Sequence, residues 1–229
     1  MSEKKTEHVE RNDAINALDS FWKRNQKVIT GVLVAIVVIV GGWFLYKQYV
    51  VKPKETKAQE AIWKAEEYYR MDSLKLALNG DGTNKGFLYV IKTYDDTEAG
   101  ELAKFYAGVC YLKLDDADNA IKYLKDYDTD SKLIQAIAWG RLADAYSVKG
   151  QNDKAIEYYK KAARHFSDDA DNASEFLFRA AVLTEAKDPK DAVELYKEIK
   201  EKYPKTERGF TADKYIYRLS IEPNEFTIK

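Results

Sequence analysis

An uncharged stretch near the N-terminus constrains this chain more than any other feature of its sequence. Val28–Tyr46, which has the sequence VITGVLVAIVVIVGGWFLY, contains 19 residues and no charged side chain. As a helix it would be about 28 Å long, close to the roughly 30 Å hydrocarbon core of a bilayer. Trp22, Trp43 and Tyr49 fall near its two ends, where amphipathic rings prefer the membrane interface. The stretch predicts one membrane-spanning helix.

Two other interpretations of this stretch are weaker. A buried core helix rarely lacks a polar face over such a length. A cleaved signal peptide would have a shorter apolar region that ends in a small-x-small site, whereas this one ends in Trp43-Phe44-Leu45-Tyr46. We therefore expect residues 28–46 to form an uncleaved signal anchor. Lysines and arginines are about as frequent on both sides, so charge bias leaves the orientation nearly open. The long C-terminal part favours translocation, with the N-terminus in the cytoplasm.

Residues 1–27 would then form a cytoplasmic tail that contains a short amphipathic helix. Ile15, Leu18, Phe21 and Trp22 fall on one face at helical spacing. Such a helix either lies on the membrane surface or docks onto a membrane partner, or it is a juxtamembrane helix without a partner.

A repeated pattern follows the apolar stretch. Ala120, Ala155 and Ala192 are separated by 35 and 37 residues, close to a 34-residue repeat of helical hairpins. The pattern predicts three repeats, residues 101–134, 136–169 and 173–206. The second repeat carries the most complete set of motif residues: Trp139, Leu142, Ala143, Tyr146, Gly150, Ala155, Tyr159 and Ala162. This set resembles the tetratricopeptide repeat family, and the resemblance implies an all-α solenoid of stacked hairpins.

The segments beside these repeats are predicted to be helical as well. Residues 57–100 would form a divergent first hairpin, in which Lys57–Leu78 is one long helix. Residues 208–229 would form a capping helix and a tail, because the last unit of a solenoid must present a wettable outer face. The predicted fold is therefore all-α, with one N-terminal transmembrane helix followed by a tetratricopeptide-type solenoid.

The residue inventory argues against an enzyme. The chain has only two histidines, His8 and His165, and one cysteine, Cys110, which we expect to fill the core. No catalytic set, cofactor site or metal site can be assembled from them. The acidic groups at Asp168–Asp171 and Asn79–Gly82 lack the spacing of a calcium loop, and turns and helix caps explain them. The formal net charge is −1 and the soluble part is mildly acidic, which argues against nucleic acid as a partner.

The remaining candidate site is the groove that the inner helices of such a solenoid line. The repeat register predicts groove-facing positions in each of the three repeats: Leu102, Phe105, Val109, Leu112, Ile137, Asp144, Ser147, Leu177 and Thr184. This surface is more apolar than a clamp for a charged peptide tail, and it favours apolar or unfolded protein segments. Alternatively, some of these residues pack against the predicted long helix Lys57–Leu78, so the groove is either open or filled by the chain itself.

The whole architecture resembles that of the YfgM-type ancillary subunits of the bacterial Sec translocon. The segments FWKRNQK, LNGDGTNKGF and GRLADAY suggest a Bacteroidota-like branch of that family. The resemblance implies a single-pass inner-membrane protein with a periplasmic C-terminal domain. Its protein partners would be translocon subunits, periplasmic chaperones or secreted clients, and it would act as a chaperone-like or adaptor subunit. The alternative is a structural scaffold in another cell-envelope complex, such as a secretion or division machine.

Overall fold

The computed structural model describes the backbone of residues 3–221 and the side chains of residues 20–221. Helices make up nearly all of this part of the chain, and it contains no strand beyond an isolated bridge between Gly80 and Lys85. The chain forms two compact units, Met1–Pro53 and Lys54–Lys229. The all-α prediction is confirmed.

The first unit is dominated by one helix, α1, which spans Glu3–Tyr46 and is followed by a π-helical turn, Lys47–Val51. The backbone is thus helical without a break where the sequence predicted a short helix before the apolar stretch. Large apolar side chains between Val28 and Tyr46 are exposed, and the segment is long and apolar enough to cross a membrane. The amphipathic face predicted at Ile15 and Leu18 lies outside the residues whose side chains are described.

The remaining helices build the solenoid. They are α2 (Lys52–Arg70), α3 (Leu74–Asn79), α4 (Phe87–Thr93), α5 (Glu98–Lys113), α6 (Ala117–Lys125), α7 (Lys132–Val148), α8 (Asn152–His165), α9 (Ala170–Glu185), α10 (Pro189–Lys202) and α11 (Glu207–Ser220). From α4 onward, each helix packs against the next one along the chain, and α11 packs against both α10 and α9. The predicted tetratricopeptide-like solenoid is confirmed.

Ion pairs between equivalent helices bind successive hairpins together. Asp144 on α7 pairs with Arg179 on α9, at 2.7 Å between Oδ1 and Nη1, and Glu175 on α9 pairs with Arg208 on α11, at 2.6 Å. The partners are 35 and 33 residues apart in the sequence. Their spacing matches the repeat period, so the solenoid brings together the same position of neighbouring repeats.

Short polar side chains set where most of these helices begin. The side chains of six residues accept hydrogen bonds from backbone N–H groups in the first turn: Thr97, Asp116, Ser131, Asp169, Asp188 and Thr206. Each such cap satisfies a donor that the helix itself leaves unpaired.

The predicted long helix Lys57–Leu78 is wrong, because α2 ends at Arg70. Asp72 adopts a positive φ of 55°, and the Ser73 N–H donates to the Tyr68 carbonyl oxygen at 2.9 Å. This closes α2 with a left-handed turn, a common helix end. The Asp72 carboxylate then accepts from Lys113 at 2.9 Å, while Glu55 accepts from the N–H groups at the start of α5. Contacts at both ends therefore place α2 parallel to α5.

Close approach between helices depends on small residues. A Cβ added to Gly108 would lie 2.5 Å from a Leu124 side-chain carbon, and one added to Gly140 would lie 2.3 Å from the Phe176 ring. The large residues between hairpins, such as Tyr146, are buried. Small and large side chains thus alternate across the interfaces, as dense packing requires.

Candidate protein-interaction surface

Two of the predicted groove residues, Leu102 and Phe105, line a cavity that has a volume of about 800 Å³. We call it the α5–α7 cavity. It lies between the N-terminal half of α5, the segment before it, and the segment that leads from α6 into α7. Its lining is Asp95, Asp96, Thr97, Glu98, Glu101, Leu102, Phe105, Tyr106, Tyr127, Asp128, Thr129, Asp130 and Ile134.

The floor of the α5–α7 cavity is apolar and largely aromatic. The Phe105 ring lies 5.5 Å from the Tyr127 ring and 5.7 Å from the Tyr106 ring, measured between centroids. Tyr106 in turn stacks on Phe87, at 5.2 Å. Leu102 and Tyr106 pack against the cluster of buried residues to which α2 contributes, and Phe105 packs against the larger cluster that extends to α11. The floor therefore packs against both clusters of buried residues.

The rim of the α5–α7 cavity is strongly acidic. Of its six carboxylates, Asp96 pairs with Lys54, and Glu101 pairs with Lys104 at 2.5 Å. Within residues 20–221, no ion pair involves the other four carboxylates, those of Asp95, Glu98, Asp128 and Asp130. All four side chains belong to exposed residues.

Hydrogen bonds hold the acidic segments in place. The buried Gln135 side chain accepts from the Thr129 N–H at 3.0 Å. The pKa of the Tyr127 hydroxyl is raised, mainly by burial. The negative charges of Glu101 and Asp128 raise this pKa further, and a hydrogen bond with Thr129 partly offsets the increase. The cavity thus has an apolar floor and an acidic rim.

Lys104 shows how the first repeat departs from the family pattern. It occupies the position that is aromatic (Trp139) in the second repeat, and its side chain is only 11% exposed. Burial lowers the Lys104 pKa, but the hydrogen bond and charge of Glu101, together with Asp126, raise it above its usual value overall. The ammonium group lies 3.7 Å from Asp126. In the first repeat, an ion pair next to the cavity thus takes the place that the Trp139 ring has in the second repeat.

The predicted residues of the second and third repeats lie apart from this cavity. Ser147 borders a smaller cavity of about 270 Å³ with Tyr159, Phe178, Arg179, Val182 and Leu183. Asp144, nearby on the same helix, accepts hydrogen bonds from Tyr159 at 2.5 Å and from Arg179 at 2.7 Å. Leu112 and Ile137 are partly buried and line neither cavity.

Three predicted groove residues belong to the core, which corrects their assignment to the groove. Leu177 is 0% exposed, and Val109 and Thr184 are almost as deeply buried. The Thr184 hydroxyl donates to the Ala180 carbonyl oxygen at 2.8 Å, within its own helix. The physical reason is that an inner helix of a solenoid contacts its own partner helix and both neighbouring hairpins, so its exposed face is narrow.

An acid-labile link joins α9 and α11 beside the smaller cavity. Glu175 accepts from Arg179 at 2.7 Å and from Arg208 at 2.6 Å. Burial raises the pKa of the Glu175 carboxyl, but the two arginines outweigh this effect and hold the pKa below its usual value. Because the Glu175 pKa is lower in the folded state than in the unfolded state, its ion pairs stabilise the fold fully at pH values above the unfolded-state pKa. This stabilisation is lost as pH falls through the folded-state pKa.

We expect Glu175→Gln to lower the free energy of unfolding at pH 7 by about 1 kcal/mol. The expected loss of free energy is smaller than the usual contribution of a hydrogen bond to a charged group, because water partly solvates Glu175. The variant should also lose less stability than the wild type between pH 5 and pH 3. Urea titrations across that range provide the measurement. An equal loss in both proteins would contradict the role of Glu175.

The other candidate residues have structural partners. Asp169 caps α9, and Asp81 accepts from the Thr83 and Asn84 N–H groups and from the Tyr68 hydroxyl. His165 is exposed, with its ring 4.7 Å from that of Trp139. Cys110 is buried, and burial raises the pKa of its thiol to about 12.

Cys110 should therefore be inert in the folded protein, since the thiolate is the reactive form. We expect an aromatic disulfide reagent at pH 8 to label Cys110 more than about 100-fold more slowly in the native chain than in urea. The released thiolate chromophore measures the rate. Rapid labelling of the native chain would place Cys110 outside the core.

Sequence reasoning missed the acidic rim. The sequence nevertheless contains a pattern that indicates this rim. Asp95-Asp96 and Asp128-x-Asp130 lie about one repeat apart, just before the inner helices α5 and α7. Acidic residues just before a helix are commonly helix caps or turn residues, so the pattern does not by itself indicate a site. Asp95 and Asp128 are 33 residues apart, so the two acidic segments have equivalent places in neighbouring repeats.

Stacked helical hairpins with an open cavity on the inner helices define a repeat protein of the protein-interaction class. The chain belongs to the tetratricopeptide repeat-like domain family, whose match covers residues 19–168, and a further tetratricopeptide repeat matches residues 175–206. Such repeats indicate a protein–protein interaction module with protein partners, and their fold is typically a non-catalytic scaffold.

Solved structures with the same fold are distant in sequence. A crystal structure of the putative kinesin light chain of Podosopora anserina, with nearly identical TPR-like repeats, has a TM-score of 0.55 and 14% identity. The alignment covers 72% of this chain and 86% of that chain. A second crystal structure of the same protein has a TM-score of 0.55 and 13% identity, and its alignment covers 72% of this chain and 85% of that chain. These likenesses support the fold alone. No curated protein matches the chain significantly.

Proposed function

We propose that this chain is a single-pass bacterial inner-membrane protein whose tetratricopeptide domain faces the periplasm. In this proposal it serves as a chaperone-like or adaptor subunit of the Sec translocon. The observation that carries the proposal is the combination of an exposed apolar helix with an interaction module in one chain. The family match begins at residue 19, so it includes the apolar stretch together with the first repeats. The resemblance to YfgM-type subunits supplies the translocon as the site of action.

The interaction surface in this proposal consists of the exposed inner-helix residues. Leu102 and Phe105 line the α5–α7 cavity, and Ser147 borders the smaller one. Both cavities have apolar side chains that an extended or helical protein segment could contact. A subunit that meets newly translocated chains would need such a surface, because those chains expose apolar residues before they fold.

Membrane topology tests the first half of the proposal. Protease added to spheroplasts should digest the domain that follows Val50 if the domain is periplasmic, and a cytoplasmic marker protein should stay intact. Full protection of the domain, with digestion only after lysis, would contradict both the localisation and the role at the translocon.

Co-purification tests the second half. The full chain, tagged at its C-terminus and extracted in mild detergent, should enrich translocon subunits or periplasmic chaperones over an unrelated single-span protein. Blocking secretion should change the amount recovered. A fixed stoichiometric partner that does not respond to the block would instead favour a scaffold in another envelope complex. Recovery of no translocon subunit or periplasmic chaperone would contradict the proposal.

A further inference from the structure

The α5–α7 cavity has a chemical character that the smaller cavity beside Ser147 lacks. Four carboxylates without an ion pair, those of Asp95, Glu98, Asp128 and Asp130, surround an apolar floor that includes Leu102 and Phe105. The smaller cavity is bordered by Arg179 and contains no carboxylate in its lining. The two sites therefore favour different partners.

The start of α5 does not reverse this negative character. A helix N-terminus usually favours anions, because its first N–H groups are unpaired. Here the Glu55 carboxylate already accepts from the Glu98 N–H at 2.8 Å and from the Ala99 N–H at 3.1 Å. The Gly100 N–H donates to the Thr97 hydroxyl at 3.0 Å. These three N–H groups of α5 therefore already have acceptors, and they do not offset the rim carboxylates by attracting an anion.

We propose that the α5–α7 cavity is the docking site for a basic amphipathic segment of a partner polypeptide. Its lysine or arginine side chains would pair with the rim carboxylates, while its apolar side chains would rest on the floor of Leu102, Phe105 and Tyr106. Aromatic rings such as Phe105 also attract cations through their faces. The N-terminal half of α5 that lines the cavity is about 12 Å long, enough for two turns of a helical segment.

Charge complementarity decides between possible occupants. The four unpaired carboxylates would repel an acidic segment through like charges, and an uncharged apolar segment would cover them without supplying a partner. A purely basic segment without apolar residues would leave the aromatic floor in contact with water. Only a segment that interleaves both kinds of side chain satisfies the rim and the floor together. This inference deepens the proposed function, on whose use of this surface for protein binding it rests.

A defined peptide tests the inference. The probe is a fluorescein-labelled peptide of about 14 residues, made of lysine and leucine so that one helical face is apolar. A glutamate–leucine peptide and a lysine–serine peptide of the same length serve as comparisons. The full chain is placed in phosphatidylcholine nanodiscs, and binding to empty nanodiscs is subtracted from the fluorescence anisotropy. The lysine–leucine peptide should bind roughly ten-fold more tightly than either comparison.

Matched variants locate the binding site. The rim variant combines Asp95→Asn, Glu98→Gln and Asp130→Asn, and it should bind the probe roughly ten-fold more weakly because three exposed pairings are lost. The control variant makes the same change in net charge at exposed carboxylates outside the cavity, with Glu157→Gln, Asp168→Asn and Glu201→Gln. It should stay within about two-fold of the wild type, since distant surface charges are screened. Leu102→Ala tests the floor and should also weaken binding.

The inference has clear contrary results. It is overturned if the rim variant binds like the wild type, if the control variant loses as much affinity, or if the glutamate–leucine peptide binds as tightly as the probe. Absence of binding above that of empty nanodiscs overturns it as well. Circular dichroism of each variant checks that the fold is intact. Because the purified chain is used, failure here is distinguishable from failure of co-purification with the translocon.

Discussion

Gly100→Ala should destabilise the fold by about 2 kcal/mol, although helix propensity alone predicts the opposite sign. Alanine normally favours a helix over glycine by about 1 kcal/mol. At this position an added Cβ would lie 1.9 Å from the Tyr94 carbonyl oxygen and 2.7 Å from its carbon. These are backbone atoms, so the clash can be relieved only by moving the segment that leads into α5, and overpacking of this kind typically costs about 1–3 kcal/mol.

The same arrangement recurs at the start of α11, which provides an independent test. In both places a tyrosine carbonyl accepts from a threonine hydroxyl, and that threonine caps the N–H of a glycine: Tyr94, Thr97 and Gly100, then Tyr203, Thr206 and Gly209. A Cβ at Gly209 would lie 2.0 Å from the Tyr203 carbonyl oxygen. Thermal unfolding followed by circular dichroism should show a lower midpoint for each alanine variant. A raised midpoint would mean that helix propensity outweighs the clash.

Leu177→Ala should reduce the free energy of unfolding by about 2–5 kcal/mol. Leu177 is 0% exposed and lies in the larger cluster of buried residues, so truncation removes buried methyl groups and leaves a cavity. Val182→Ala is a matched control on the same helix, because Val182 is 43% exposed and its truncation should change stability by no more than about 0.5 kcal/mol. Urea titration of both variants gives the comparison.

This pair of variants also separates a core role from a binding role. The repeat register predicts that Leu177 lies on the groove, and a groove residue would affect partner binding more than stability. We expect the folded Leu177→Ala protein to bind the lysine–leucine probe like the wild type, since Leu177 does not line the α5–α7 cavity. Unchanged stability together with lost probe binding would return Leu177 to the interaction surface.

The sequence by itself determined the helical class, the solenoid and the apolar segment of α1. Each depends on a pattern that can be followed along one chain: 19 uncharged residues, helical periodicity, and small residues such as Ala120 and Ala155 that recur about one repeat apart. Helix starts are equally local, because a cap such as Thr206 acts on donors within three residues. The end of α2 was missed because its left-handed turn is formed by Asp72, which is neither glycine nor asparagine.

The tertiary structure alone decided which inner-helix residues remain accessible and which chemical groups surround them. Leu177 and Phe105 have the same place in their repeats, yet one is buried and the other lines a cavity, because each helix has different neighbours on its two sides. The α5–α7 cavity joins Asp95 to Asp130 across the stacking of two hairpins. Whether residues so far apart in sequence line one cavity depends on how the hairpins pack, which local periodicity does not specify.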